Sequence, residues 1–163
     1  MFDPNLEGTW KIKGAAAPYK TYMIDAQGRY FVADPEAPFA FVNGGQGFEW
    51  GGLTYTLVLG SANDLAGVWL ADDGGEEWHF RVDGSVTVHW SVVEEYFGRY
   101  ELRNGGTALW YSEFRSVVST SGNVLTFDPP YTQDQEYLFS LSGNDWTLTD
   151  PATGNTVIVY EKV

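Results

Sequence analysis

The most concentrated chemistry in this chain is a carboxylate and two histidines, carried by Glu77-Trp78-His79-Phe80 and Val86-Thr87-Val88-His89-Trp90. Alternate residues of a strand fall on opposite faces, so pairing Trp78 with Val88 and Phe80 with Val86 sets Glu77 across from His89, with His79 one diagonal step away. A carboxylate beside an imidazole is the arrangement of a general base, and two histidines with a carboxylate also suit a metal. An ordinary cross-strand ion pair on a solvated outer face has the same spacing, because the apolar face of the two arms should turn inward. Glu77, His79 and His89 are therefore the catalytic candidates; no metal is assigned, and whether the chain is an enzyme stays open.

The elements that would position these groups are two hairpins. Trp78, Phe80 and Val82 alternate on the first arm, and Val86, Val88, Trp90 and Val92 on the second. A three-residue loop ending in Gly84, with a type I turn and a bulge, keeps both sets on one face. Applied around Asn104-Gly105-Gly106, the same parity sets Tyr100 opposite Trp110, Leu102 opposite Ala108 and Tyr96 opposite Phe114. Aromatic residues then collect on one face of consecutive strands. With 7 Trp, 10 Tyr and 10 Phe, the chain has more rings than a small core needs, and the surplus is expected to line a ligand site. The candidate ligand-binding residues are Trp78, Phe80, Val88, Trp90, Tyr100, Trp110, Phe114 and Phe139. Plain core packing is the competing reading of the same rings.

Along the rest of the chain, short alternating runs rich in Val, Thr, Tyr, Phe and Trp are separated by Gly, Asp, Asn and Pro, with almost no helical periodicity. Strands are predicted over 7–13, 20–25, 29–33, 38–42, 53–59, 65–70, 76–82, 86–93, 97–102, 108–118, 123–127, 136–142, 145–149 and 155–161. Sequential hairpins without cysteine fit an all-β, antiparallel up-and-down barrel with a central cavity better than a sandwich, because closure removes exposed edges. A length of 163 residues predicts one domain, 1–163.

Composition excludes several functions. A net charge of −13 repels phosphate backbones and anionic surfaces, so no nucleic acid partner is expected. No run of about 18 apolar residues is present, so no membrane span is expected. The segment Met1 to Asn5 has neither a basic stretch nor an apolar run, which favours a cytoplasmic protein unless a signal has been removed. Gly44-Gly45-Gln46-Gly47 lacks the lysine of a phosphate loop and reads as a plain loop, and no Gly-x-Ser-x-Gly elbow occurs. The adjacent pairs Asp72-Asp73, Glu76-Glu77 and Glu94-Glu95 point to opposite faces and make poor acid–base couples. Asp150 to Asn155 has turn chemistry without calcium-loop spacing. No cofactor is expected, and nothing in the residues specifies an oligomeric state.

Two short signatures, Leu6-Glu7-Gly8-Thr9-Trp10 and Leu65-Ala66-Gly67-Val68-Trp69, each resemble the opening strand of lipocalins and related calycins. In those families a short 3₁₀ segment precedes the strand and its Trp plugs one end of a barrel; Met1 to Trp10 resembles this, which implies Trp10 as the plug. From Leu65 onward, Trp69, Trp78 to Gly84, Gly98-Arg99-Tyr100, Tyr137 to Leu141 and Trp146 to Thr149 resemble small lipocalin-like domains. That alternative assigns 65–163 to the barrel and 1–64 to added strands. An internal duplication is a third arrangement, since Tyr22 to Gly28 follows Trp10 much as Trp78 to Gly84 follows Trp69. By resemblance, the expected function is binding of a small apolar or aromatic molecule inside a barrel cavity. Related barrels also host cofactor-independent cyclases, isomerases and lyases that shape a hydrophobic substrate. Carbohydrate binding through Trp and Tyr is a further class.

Overall fold

The computed structural model describes residues 1–90, 95–129 and 135–163. Among the described residues it is an antiparallel sheet of 15 strands with three single-turn 3₁₀ segments. The strands are β1 (Gly8–Ile12), β2 (Thr21–Ile24), β3 (Arg29–Ala33), β4 (Ala37–Val42), β5 (Gly47–Trp50), β6 (Leu53–Gly60), β7 (Gly67–Ala71) and β8 (Glu77–Phe80). They continue as β9 (Ser85–His89), β10 (Glu95–Arg103), β11 (Ala108–Ser121), β12 (Val124–Asp128), β13 (Glu136–Ser142), β14 (Asp145–Thr149) and β15 (Thr156–Lys162). The all-β prediction holds. No helix among the described residues is long and apolar enough to cross a membrane.

The chain divides into two compact units: a first unit of Met1–Pro35 with Phe114–Val163, and a second unit of Glu36–Glu113. In the second unit, β4 to β10 pair in chain order, β10 pairs β11, and β11 pairs back to β4 through Ala108↔Pro38 and Leu109↔Ala37. In the first unit, β11 to β15 pair in chain order, β15 pairs β1, and β3 pairs β11. The unit boundary falls inside β11, between Glu113 and Phe114.

Each unit is organised by one of the two Gly-x-Trp signatures. Trp10 is 1 % exposed, and its indole N–H donates to the Leu6 carbonyl at 2.9 Å; Trp69 is fully buried and donates to the Leu65 carbonyl at the same distance. Satisfying the indole N–H locally lets the whole ring be buried without an orphaned donor. The expected 3₁₀ segment precedes β1 as Pro4–Leu6, capped by the Asp3 carboxylate. Before β7, Asp64 makes the corresponding side-chain bond to the Ala66 N–H at 3.0 Å. In the first unit the Lys162 ammonium lies 4.9 Å from the centre of the Trp10 ring and donates to the Glu7 carbonyl at 2.8 Å, tying the last strand to Trp10.

Rings fill both centres. In the first unit Trp146 meets Trp10 edge-on at 5.6 Å and stacks on Tyr160 at 4.5 Å. In the second, the fully buried Phe48 stacks on Tyr55 at 4.5 Å and meets Trp69 at 4.8 Å. Phe48 belongs to β5, where the sequence predicts a loop because the four residues begin at Gly47, among the glycines that dominate the local composition. The chain reverses there because Asn43, Gly44 and Gly45 all adopt positive φ, and Phe48 and Trp50 then alternate onto the inner face.

The first hairpin has the expected register: Glu77↔His89, Trp78↔Val88, His79↔Thr87 and Phe80↔Val86. Gly84, at φ 89°, ends the three-residue loop, with Arg81 and Ser85 closing it. β2 and β3 repeat this geometry, Ile24 pairing with Tyr30 across a loop that ends in Gly28. Val82 sits in the loop, 91 % exposed, and not on the inner face. Val92, with its neighbours Ser91 and Glu94, lies outside the described residues.

The second hairpin corrects the prediction by one residue. Tyr100 pairs with Tyr111, Leu102 with Leu109 and Arg103 with Ala108, so Trp110 stands opposite Glu101. Asn104–Gly106 forms a 3₁₀ turn that Thr107 extends, its hydroxyl bonding the Asn104 carbonyl at 2.8 Å. The loop therefore holds four residues between Arg103 and Ala108, and the extra residue reverses every face assignment across it.

Two predictions follow from these contacts. A Cβ on Gly67, at φ 150°, would meet the Leu59 carbonyl oxygen at 2.5 Å, whereas on Gly8, at φ 138°, it would meet only the flexible Lys162 side chain at 2.7 Å. Gly67→Ala should cost about 2–4 kcal/mol in urea unfolding and Gly8→Ala about 1–3 kcal/mol; equal or reversed costs would contradict the contact. The second concerns Asp25. Burial opposes its ionisation, but bonds from the Arg29 and Gln27 backbone N–H groups and the Arg29 guanidinium outweigh it and hold the carboxyl below its usual value. Stability from this group is present above the unfolded value of about 3.9 and is lost as pH falls through the lower folded value. Asp25→Asn should thus lower Tm at pH 7, with the gap from wild type closing below about pH 4. A gap of constant size down to pH 3 would refute this.

Candidate functional site

The histidine cluster forms on the outer face of β8, β9 and β10. Glu77 does lie across from His89, but its carboxylate bonds His79 Nε2 at 2.8 Å, two residues along its own strand. His89 Nδ1 is instead 3.1 Å from Glu95, the residue directly opposite on β10, which the sequence reading did not pair with it. The two imidazoles are 4.7 Å apart, centre to centre. The result is two imidazole–carboxylate pairs side by side, both half exposed to solvent. Among the described residues, no group of three or more His, Asp or Glu side chains is placed to hold a metal ion. Tyr55, buried in the second unit, has its phenol pushed well up by burial and then by the Glu76 and Asp73 carboxylates, so it is a neutral hydroxyl and no base at neutral pH.

The eight predicted ligand-binding residues are divided between the two units. Trp78, Phe80, Val88 and Tyr100 all belong to the core of the second unit or pack on it. They touch one another: Trp78 stacks on Phe80 at 5.6 Å, Phe80 meets Tyr100 edge-on at 4.9 Å, and Tyr100 donates its hydroxyl to the Arg81 carbonyl at 2.5 Å. Burial, with Asp64 and Asp83 nearby, raises the Tyr100 phenol. Trp90 is 59 % exposed, because β9 ends at His89 and the alternation that would have turned it inward ends with the strand. Trp110, carried outward by the one-residue shift, lies under the Arg103 guanidinium at 4.4 Å. Phe114 and Phe139 belong to the first unit, where Phe114 meets Phe31 edge-on at 5.7 Å and Phe139 packs against the core.

Two surface hollows of the second unit are large enough for a small molecule. One, of about 490 Å³, opens around the Gly51-Gly52 turn and is walled by Pro38, Phe39, Ala40, Trp50 and Leu53, with Glu49 and Thr54 at its polar edge. Both turn glycines take positive φ, which gives β5 and β6 a tight reversal. Trp50 is held from behind: its indole N–H donates to the Leu109 carbonyl at 3.1 Å, and its ring meets Trp78 at 5.2 Å and 90°. Leu53 stays 43 % exposed at the rim. This wall went unread in the sequence, although Phe48 and Trp50 alternate just before the glycine pair. The second hollow, of about 430 Å³, includes Leu70, Glu76, Glu77, His79, His89 and Trp90. It joins the histidine cluster to the exposed indole.

The placement separates two tryptophans that the sequence treated alike. Trp78→Ala should cost about 3–5 kcal/mol of stability, whereas Trp90→Ala should stay within about 0.5 kcal/mol of wild type. Denaturant midpoints measure both, and a large loss from Trp90→Ala would return that residue to the core. The chain matches no family model, no curated protein and no solved structure.

Proposed function

We propose that this protein is a small-molecule binding module built from two small calycin-like β-barrels, and that it takes an apolar or aromatic ligand in the Trp50 hollow. The observation that carries this reading is the wall of that hollow. Five of its residues, Pro38, Phe39, Ala40, Trp50 and Leu53, offer apolar surface at a volume within the range of small-ligand sites. Burying that surface supplies the driving force, and Glu49 and Thr54 orient any polar end of the ligand. The barrel reading is supported by the pairings that lead from β11 back to β11 in each unit and by the two buried Trp plugs. A wall pre-set by the Trp50–Leu109 bond spends little of the binding energy on ordering. Trp78, Phe80, Val88 and Tyr100 act, in this reading, as the rigid support behind the hollow.

The experiment is a fluorescence titration with N-phenyl-1-naphthylamine, a neutral apolar probe that the acidic surface does not repel. Saturable enhancement is expected, and Leu53→Glu should weaken it at least tenfold, about 1.4 kcal/mol. Absence of saturable binding, or binding untouched by Leu53→Glu in a folded variant, would overturn the reading.

A further inference from the structure

We infer that the second hollow, between Trp90 and the paired histidines, is a binding site for a neutral saccharide. Trp90 and Leu70, 59 % and 40 % exposed, supply apolar surface that no other part of the fold covers among the described residues. The indole nitrogen of Trp90 faces Gly75, where a Cβ would stand 3.7 Å from it, so the glycine lets the ring lie close against the β7–β8 turn. A pyranose has one face of C–H groups, which packs on an aromatic ring, and a rim of hydroxyls that need both donors and acceptors.

The polar side of the hollow supplies the acceptors. Glu77 and His79 are locked together at 2.8 Å, and His89 is held by Glu95 at 3.1 Å, which fixes the direction in which each group presents its remaining hydrogen-bonding atoms. A neutral imidazole whose N–H is engaged by a carboxylate keeps its other nitrogen as an acceptor, and a carboxylate with one oxygen engaged still accepts at the other, so the remaining capacity suits hydroxyl donors. Glu76 is likewise engaged, accepting from the Trp78 indole at 2.8 Å.

Charge selects among ligands. Asp72, Asp73, Glu76 and Glu77 surround the β7–β8 turn of a chain carrying −13, so uronic acids, sulfated sugars and phosphates are repelled. The same charge attracts an organic cation, and its binding in place of a glycan is the contrary outcome; Glu76, Glu77 and Glu95 meanwhile already have side-chain partners. Hydroxyls fit the remaining capacity without displacing those partners. The site is separate from the Trp50 hollow and stands or falls independently of it.

Affinity electrophoresis through gels containing laminarin, hydroxyethylcellulose, galactomannan or dextran tests the inference. At least one of these neutral glycans should retard the wild-type chain, and Trp90→Ala should lower the retardation at least tenfold, with circular dichroism showing the variant folded. His79→Ala should weaken retardation further from the stacking platform, while Leu53→Glu, in the other hollow, should leave it unchanged after correction for its mobility in glycan-free gel. No retardation by any of the four, or retardation unaffected by Trp90→Ala, would overturn the proposal. Calorimetric binding of tetramethylammonium that Trp90→Ala abolishes, without glycan retardation, would also overturn it and give the hollow to a cation.

Discussion

Everything in each unit is arranged around one hydrogen bond, from a buried tryptophan indole to the carbonyl of the leucine four residues before it. Trp10 with Leu6 and Trp69 with Leu65 make it at the same length. Burying a large ring at low cost requires a partner for its N–H, and for Trp10 and Trp69 that partner comes from the chain just upstream. The requirement fixes the bend between the leucine and the strand, which is why Gly8 and Gly67 both carry large positive φ. Once the ring is anchored, its neighbours follow. Phe41 and Phe48 pack on Trp69, and Trp146 and Lys162 on Trp10.

This anchoring has a functional cost. Rings that meet at 4.5 to 6 Å hold one another rigidly, and a rigid aromatic interior supports a binding surface better than it encloses a ligand. The second unit displays both consequences on its outside. Trp50 is braced from behind by Trp78 and the Leu109 carbonyl, and Trp90 projects past the end of β9 beside two imidazoles with fixed partners. Both hollows are lined by side chains that their neighbours hold in place.

Much of this was legible in the amino-acid sequence. Period-two alternation and turn glycines revealed an all-β chain, and parity across the Gly84 loop placed Glu77 against His89 and Trp78 against Val88. Parity failed at Asn104-Gly105-Gly106, because a 3₁₀ turn that recruits Thr107 adds a residue that composition does not reveal. That slip is why Trp110 was placed with Tyr100 when it instead lies beneath Arg103. Trp90 was misplaced for a related reason: alternation says which face a residue takes only while the strand lasts. The unit boundary inside β11 left no trace, since Glu113-Phe114 sits in an unbroken strand with no Gly, Pro or charge run to mark it. The hollow at Trp50 was hidden by the glycines that create it.

The central proposal is that the aromatic interior is closed to ligand and that a small molecule sits in the surface hollow at Trp50. Two-dimensional ¹H–¹⁵N spectra recorded during titration with 1-naphthol test it most directly. The account predicts that the amides of Gly51, Gly52, Leu53 and Thr54 and the Trp50 indole shift in a saturable way, while the amides of Leu65, Phe80 and Val86 stay in place. Large shifts at Leu65, Phe80 and Val86 with little change at the Gly51-Gly52 turn would put the ligand inside the unit and contradict the account.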